Sequence, residues 1–345
     1  MPASRTRDSL LLAKKQAVEQ FLKAAEPRAA MRASFASVRP EHNVVGVGVG
    51  TKLVEGHSNG APCVRFYVER KVAKESIPPE HLLPETINNI ETDVIETGRF
   101  VAFQLAVVAA RPKRDPRSRI RPAQPGCSTG FQFTGDQAGF LMAGTLGAIV
   151  VRTGEKKKSN KEYVLSNNHV LANEGQLPLG SAIFQPGLLD DGNAATEQIA
   201  KLSEFVPLTS QPNDVDCAIA EVLDDSMVRA SILSIGRLAD STPLDATEGM
   251  AVEKSGRTTG FTTGKVTDLS ADVRIKYDSG TFTFQNQIIV EGNPGPFSQP
   301  GDSGSLIVAR DQRKAVALLF AGSDTHTIAN PLAKVLSALN ISLVV

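Results

Sequence analysis

QPGDSGSLIV, residues 299–308, sets a Gly-Asp-Ser-Gly turn at the mouth of an apolar run. Glycine weakens a strand, and an ordinary turn needs only one or two. The alternative is a backbone that must be exposed and sharply bent because something reacts on it. A serine hydroxyl is a poor nucleophile at its free pKa; it needs an adjacent base, and the base needs an orienting group. The meaning of the stretch therefore depends on the partners that the rest of the chain offers Ser303.

Five histidines are available: His42, His57, His81, His169 and His326. His169 stands where the apolar strand YVL runs into a turn, in YVLSNNHVLAN. A histidine on such a segment, taken alone, is more often structural than catalytic. The carboxylate that orients a catalytic histidine should be buried, so it should be embedded in an apolar strand. NDVDCAIAEV at 213–222 supplies Asp216 followed by Cys-Ala-Ile-Ala, with Asp214 two residues earlier as the alternative. The chain order His169, Asp216, Ser303 is that of chymotrypsin-like enzymes and not of subtilisins or α/β-hydrolases. Gly301 and Ser303 would then turn their N–H groups on the carbonyl oxygen of the scissile bond. One such donor is worth about 2.7–4 kcal/mol in the transition state.

The chain of 345 residues is long enough for two or three cores, and 41% hydrophobic with 21% charged residues is ordinary for a globular protein. Only 5% are aromatic, with no Trp. Val, Gly, Thr and Ser are plentiful, which favours β-structure. The 37 basic and 37 acidic residues cancel overall, but 1–125 carries net +7 and 126–345 net −7. That segregation suggests two parts that sit against each other or against copies of the chain, a homo-oligomer. A neutral chain argues against nucleic acid as a partner. The three cysteines, Cys63, Cys127 and Cys217, are widely spaced with no CxxC pair, so neither disulfide stapling nor a metal site is expected. No apolar stretch reaches the roughly 18 residues of a membrane span, and the N-terminus lacks a secretory h-region. The expectation is a cytoplasmic protein without a cofactor.

Along the chain, residues 8–25 read as an amphipathic helix capped by Asp8 or Ser9, with Leu11, Val18, Phe21 and Leu22 on one face. HNVVGVGVGTKLV at 42–54 is a glycine-rich strand, since G-x-G-x-G is not the dinucleotide-binding spacing. Strands follow at 62–72 and 90–103, making 1–108 a small α/β module. Residues 109–125, AARPKRDPRSRIRPAQP, read as a basic, proline-stiffened, solvated linker. From Gly126 the chain is short strands and turns: a first β-barrel over 126–240 with His169 and Asp216, then a second over 241–345 with Ser303. It closes with a helix at 330–340, where Asn330 caps, Pro331 takes the first helical position, and Leu332, Val335, Leu336 and Leu339 form an apolar stripe.

GTLGAIVV, YVLSNNHVLAN, DVDCAIA, KSGRTTGFTTG, PGDSGSLIV and LLFAGSDTHTIANPLAKVL together resemble the trypsin-like serine peptidases of the chymotrypsin-fold clan, most closely the narrow-leaf-type group of plants and bacteria. The resemblance runs from about Gly126 to the C-terminus. It implies a mainly β protein built from two six-stranded barrels with the cleft between them, ending in a helix. KSGRTTGFTTG would be the entry to the second barrel. Phe320, Ala321 and Gly322 would line the substrate cleft, with an extended peptide pairing its backbone there as an added strand. In trypsin-like enzymes an acid six residues before the nucleophile sits at the base of the specificity pocket. That position is Phe297 here, so apolar or small side chains are expected at the cleavage site and not Lys or Arg. Asp324 is the other acid that could reach the pocket. The relatives activated by cleavage pair a new amino terminus with the Asp beside the nucleophile, here Asp302. No suitable Ile or Val start precedes His169, so Asp302 should find another donor: a Lys, an Arg or backbone N–H groups.

The leading expectation is a serine endopeptidase acting on polypeptide, with Ser303 as nucleophile, His169 as base and Asp216 orienting it. The alternatives are a peptide-binding scaffold with a vestigial site, or an esterase using the same triad.

Overall fold

The computed structural model describes residues 2–22, 43–54, 57–102, 115–154 and 161–345. Helix α1 (Pro2–Phe21) starts at Pro2, well before the expected Asp8 or Ser9 cap. Of the expected face, Leu22 is buried and Val18 and Phe21 pack against the same cluster, joined by Ala13 and Ala17, both 0% exposed, while Leu11 points to solvent. Small residues win because the helix lies close on the sheet, with Phe21 edge-on to Phe66 at 5.3 Å. Lys14 on the same face reaches Asp272 at 2.6 Å.

Strands β1 (Val44–Val54) and β2 (His57–Val68) pair antiparallel, and β4 (Ile90–Glu96) runs parallel to β2, with β3 (Thr86–Ile87) outside it. The Val-Gly alternation of β1 has a packing cause. A Cβ at Gly48 would lie 1.8 Å from Asp268 Oδ2, and one at Gly46 would lie 2.9 Å from Val273, so only glycine lets the next strand approach. A short strand, β5 (Val101–Ala102), follows.

The first sheet uses β6 (Ser128–Phe131), β7 (Gly144–Thr145), β8 (Ala148–Arg152), β9 (Glu162–Ser166), β10 (Ala182–Phe184), β11 (Gln198–Phe205) and β12 (Ala218–Val222), with helix α2 (Asn168–Leu171) directly after β9. The second uses β13 (Ala251–Gly256), β14 (Gly260–Lys276), β15 (Thr281–Gly292), β16 (Leu306–Ala309), β17 (Lys314–Gly322) and β18 (His326–Pro331). Because β13 pairs with both β14 and β16, these six strands close into a ring. Helix α3 (Leu332–Ala338) then leads to β19 (Ile341–Leu343), which returns to β8 and makes the first sheet eight-stranded, β19-β8-β9-β12-β11-β10-β6-β7. The architecture is mainly β, a chymotrypsin-like double barrel with a C-terminal helix.

Leu332, Val335, Leu336 and Leu339 pack with Leu165, Ile219, Leu306 and Leu318, so the apolar stripe of α3 joins both sheets in one core. Each such side chain contributes about 1.5–3 kcal/mol on burial. Through β1–β14 pairing, the N-terminal strands continue the sheet of the second barrel.

Two further expectations differ from what is seen. Asn330 does not cap α3: it lies in β18, 0% exposed, and the N-cap position is Pro331, without a side-chain cap. Its amide is consumed inside the protein, as described below. The linker is not a solvated connector over its described part. Arg119 and Arg121 both reach Glu197, at 2.9 and 2.6 Å, and the Ser128 N–H donates to the Pro116 carbonyl. Two of the charges that suggested solvation are matched by a carboxylate immediately before β11. Residues 103–114, including the rest of that linker, lie outside the described residues.

Candidate active site

His169 enters the site because α2 begins as soon as β9 ends. Asn167, at the N-cap, sends its side-chain amide to the Asp216 carbonyl at 2.8 Å. The first-turn amides of a helix lack internal acceptors, and here the Asp216 carboxylate takes them: Oδ1 accepts from Asn168 N at 2.7 Å and from His169 N at 3.3 Å. Oδ2 lies 2.6 Å from His169 Nδ1 and accepts from the Tyr277 hydroxyl at 2.7 Å. Asp216 is itself held from behind, its N–H donating to Asn330 Oδ1 at 3.0 Å while Asn330 Nδ2 donates to Gln287 at 2.7 Å. His169, Asp216 and Asn330 are each 0% exposed. The charge of a buried carboxylate is tolerable only with such partners.

Asp214 is elsewhere. Its carboxylate pairs with Lys334 at 2.6 Å on the surface, and that cation holds it below the usual carboxylate range.

Ser303 lies at the turn between β15 and β16, 0% exposed. Its carbonyl accepts from Thr145 N at 2.8 Å, tying it to the first sheet. A Cβ at Gly144 would stand 2.6 Å from Val170 and 3.1 Å from the Ser303 carbonyl, so the neighbour of His169 and the serine meet across that glycine. Gly301 and Gly304 have φ of +96° and +93°. A Cβ at Gly304 would fall 2.1 Å from Ser166 Oγ and 2.2 Å from the Thr145 carbonyl. Glycine on both sides of Asp302-Ser303 is therefore needed for backbone sign and for space.

The Asp302, Gly304 and Ser305 amides bond to the carbonyls of Gln299, Leu319 and Asp302. Among the described residues the Gly301 and Ser303 amides have no such acceptor. His169 Nε2 is likewise buried without a partner. The Ser303 hydroxyl donates to the Phe320 carbonyl at 3.2 Å rather than to the imidazole.

Asp302 is saturated. Its carboxylate accepts from the N–H groups of Thr258, Thr259 and Gln299 at 2.9, 3.1 and 3.0 Å, from Thr259 Oγ1 at 2.7 Å, and from Lys254 Nζ at 3.2 Å. Burial pulls the Lys254 ammonium downward, and Asp302 opposes the shift. Beside it, Arg257 crosses to the first barrel and pairs with Asp190 at 2.7 and 2.5 Å.

Phe297 is 1% exposed and packs in the second barrel with Val252, Val266 and Val290, not on an open wall. Phe320, also buried, joins Phe100, Tyr277 and Phe284. Ala321 and Gly322 pair with Ala102 and Val101. Asp324 is exposed. Tyr277, Asn330 and Lys254 escaped the sequence reading: Asn330 looked like a cap, Lys254 like part of a glycine-rich turn, and Tyr277 had no signal at all. Burial keeps the Tyr277 hydroxyl protonated by pushing its pKa well up, with Asp216 adding to the effect, so it acts as a donor. Among the described residues no group of three or more His, Cys, Asp or Glu could hold a metal ion, and no helix is long and apolar enough to cross a membrane.

Two barrel sheets, with a buried His-Asp pair from one and a Gly-Asp-Ser-Gly turn from the other, are the arrangement of the trypsin/chymotrypsin-like fold. Within it, residues 213–329 match the family model of the Nal1 C-terminal domain. Protein NARROW LEAF 1 of Oryza sativa subsp. japonica is 25% identical over 297 residues, covering 78% of this chain and 48% of that protein. The chain thus spans about half the length of this curated relative. Among solved structures, a glutamic acid specific serine protease has 19% identity and a TM-score of 0.44, over 64% of this chain and all of that one. Cellulomonas bogoriensis chymotrypsin has 20% identity and a TM-score of 0.39, over 58% and 90%. Likenesses this distant add nothing to the fold already read from its strands.

Proposed function

We propose that the chain is a serine endopeptidase. In this reading Ser303 attacks the peptide carbonyl, and His169 Nε2 accepts the hydroxyl proton and later passes it to the leaving amine. Asp216 fixes the imidazole with its proton on Nδ1, and Asn168, Tyr277 and Asn330 fix Asp216. The Gly301 and Ser303 amides receive the oxyanion. The observation that carries the reading is the His169 imidazole: Nδ1 is bound to a four-times-bonded buried carboxylate while Nε2 is left without a partner. An imidazole held through Nδ1 by a buried carboxylate, with Nε2 open, is the form in which a histidine serves as general base.

A second reading, a peptide-binding scaffold without turnover, is favoured by the Ser303 hydroxyl facing Phe320 instead of His169. Catalytic hydrogen bonds often form only with substrate in place. Labelling by a fluorophosphonate, together with a peptide-library digest of the wild type beside Ser303→Ala, decides between them. Label and cleavage that both vanish in the variant support the peptidase; an unlabelled wild type supports the scaffold. Ester hydrolysis without peptide cleavage would indicate an esterase.

Apolar or small side chains are preferred at the cleavage position in this reading, since no carboxylate lies between Gly292 and Gly301 to pair with a buried cation. Self-association of a cytoplasmic protein, suggested by the segregated charge, belongs to the same proposal and is read by sedimentation.

A further inference from the structure

Strand β5 lies where an extended substrate would lie. On one side β17 is covered by β18, with a register shift between Leu319 and Ala321 that takes Phe320 out of the regular ladder. The Phe320 carbonyl holds the Ser303 hydroxyl at 3.2 Å. On the other side β16 pairs with β17 only as far as Leu318, and Leu319 bonds to the turn itself through Gly304 and Ser305. Ala321 and Gly322 would there present an open edge beside the nucleophile. They do not, because Ala102 pairs with Ala321 and Val101 with Gly322, antiparallel. Ala102 stands one register position from Phe320. The strand is anchored: Phe100 is 0% exposed within the cluster of Tyr277, Phe284 and Phe320, its carbonyl accepts from Lys276 N at 3.1 Å, and Val101 also pairs with Lys276. An unpaired edge is a template for another extended chain. Here the chain supplies that strand itself, in the antiparallel sense and heading for the serine.

We propose that β5 is a built-in occupant of the substrate edge of β17, so that the chain keeps its own peptide cleft closed until an extended polypeptide displaces the strand. The inference rests on the peptidase reading for its consequence. The site then stays chemically assembled but answers differently to small and extended reagents. A small fluorophosphonate needs only Ser303, whereas a peptidyl phosphonate with an apolar tripeptide needs the edge as well. Its apparent affinity falls by the fraction of molecules in which the edge is free.

The experiment compares the full-length wild type with Ala102→Pro, which removes an N–H and disfavours the paired strand. The expected result is an acceleration of peptidyl phosphonate labelling by about tenfold or more, with fluorophosphonate labelling unchanged. Acceleration of neither reagent, or equal acceleration of both, in a folded, fluorophosphonate-reactive variant overturns the proposal. Should Ala102→Pro fail to fold, hydrogen exchange on the unmodified chain decides. With the peptidyl reagent bound, amides 100–102 should lose protection while 320–322 keep it. Continued protection of 100–102 overturns the proposal. If neither reagent labels any form, the peptidase reading falls, and polarisation of a fluorescent apolar peptide on Ser303→Ala tests the edge alone. Binding tightened by adding Ala102→Pro upholds occupancy; unchanged binding overturns it.

Discussion

The Tyr277 hydroxyl, from the residue just after β14, donates to Asp216 Oδ2 at 2.7 Å, the same oxygen that lies 2.6 Å from His169 Nδ1. The second barrel thus reaches across the cleft to hold the carboxylate of the first. The His169 and Tyr277 rings are edge to face, with centroids 5.8 Å apart, so the tyrosine packs against the imidazole as well as bonding to its partner.

Tyr277→Phe keeps the ring and removes the donor. A hydrogen bond to a charged group is worth about 1.5–3 kcal/mol, so kcat/KM should fall by about 10–100-fold. A carboxylate with one donor fewer attracts the imidazolium proton more strongly. The acid limb of the pH–rate profile should therefore move to higher pH. A fall in rate with no movement of that limb would mean that the hydroxyl only stabilises the fold.

Ser303→Ala or His169→Ala should lower turnover by about four to six orders of magnitude, and Asp216→Asn by about four through the wrong imidazole tautomer. Asp214→Asn should leave turnover nearly intact, because Asp214 pairs with Lys334 at the surface. Steady-state kinetics on a cleavable library peptide, with circular dichroism to verify folding, reads all four variants. An inactive Asp214→Asn beside an active Asp216→Asn would reverse the assignment of the acid.

Lys254→Met leaves Asp302 with its amides and Thr259 but without a counter-charge. Breaking a buried pair from one side costs about 3–5 kcal/mol, and the adjacent turn carries the Gly301 and Ser303 amides. Urea unfolding should show the lost stability, and fluorophosphonate labelling should slow even where the variant remains folded. Full-length wild type should label without prior cleavage, since Asp302 is already satisfied in the uncut chain. Intact mass on the labelled protein reads this directly.

Asp268, buried between β1 and β14 with the Tyr67 hydroxyl at 2.7 Å, has its carboxyl pushed up to about 6 by burial. Its folded pKa therefore exceeds the unfolded value, and the folded state holds the proton longer. The stability from this group is full below about pH 4 and is lost as pH rises to about 6, a change on the order of 3 kcal/mol. Urea unfolding at the two ends of that window should show this loss for the wild type and a flatter dependence for Asp268→Asn.

Composition and motif order were enough to read a mainly β chain, the residues 169, 216 and 303, and the glycines that bend the turn. These features are local: a strand needs its alternation, and a sharp turn needs its glycines within a few residues. Asp216 was also legible, because a charge inside Cys-Ala-Ile-Ala has to be explained. The partners that make the site were not. Tyr277, Asn330 and Lys254 lie 61, 114 and 48 residues from the groups they bond. No periodicity or spacing encodes such pairings, and Asn330 even offered a false local role as a helix cap. Strand β5 is the extreme case. The sequence reads one strand over 90–103, but the chain breaks it into β4 and β5, and the pairing of β5 with β17 exists only because the second barrel leaves an edge free beside Ser303 and Phe100 finds a buried aromatic seat there. Local sequence singled out the candidate residues 169, 216 and 303. Which groups hold them, and which strand pairs with Ala321 and Gly322, followed from long-range packing alone.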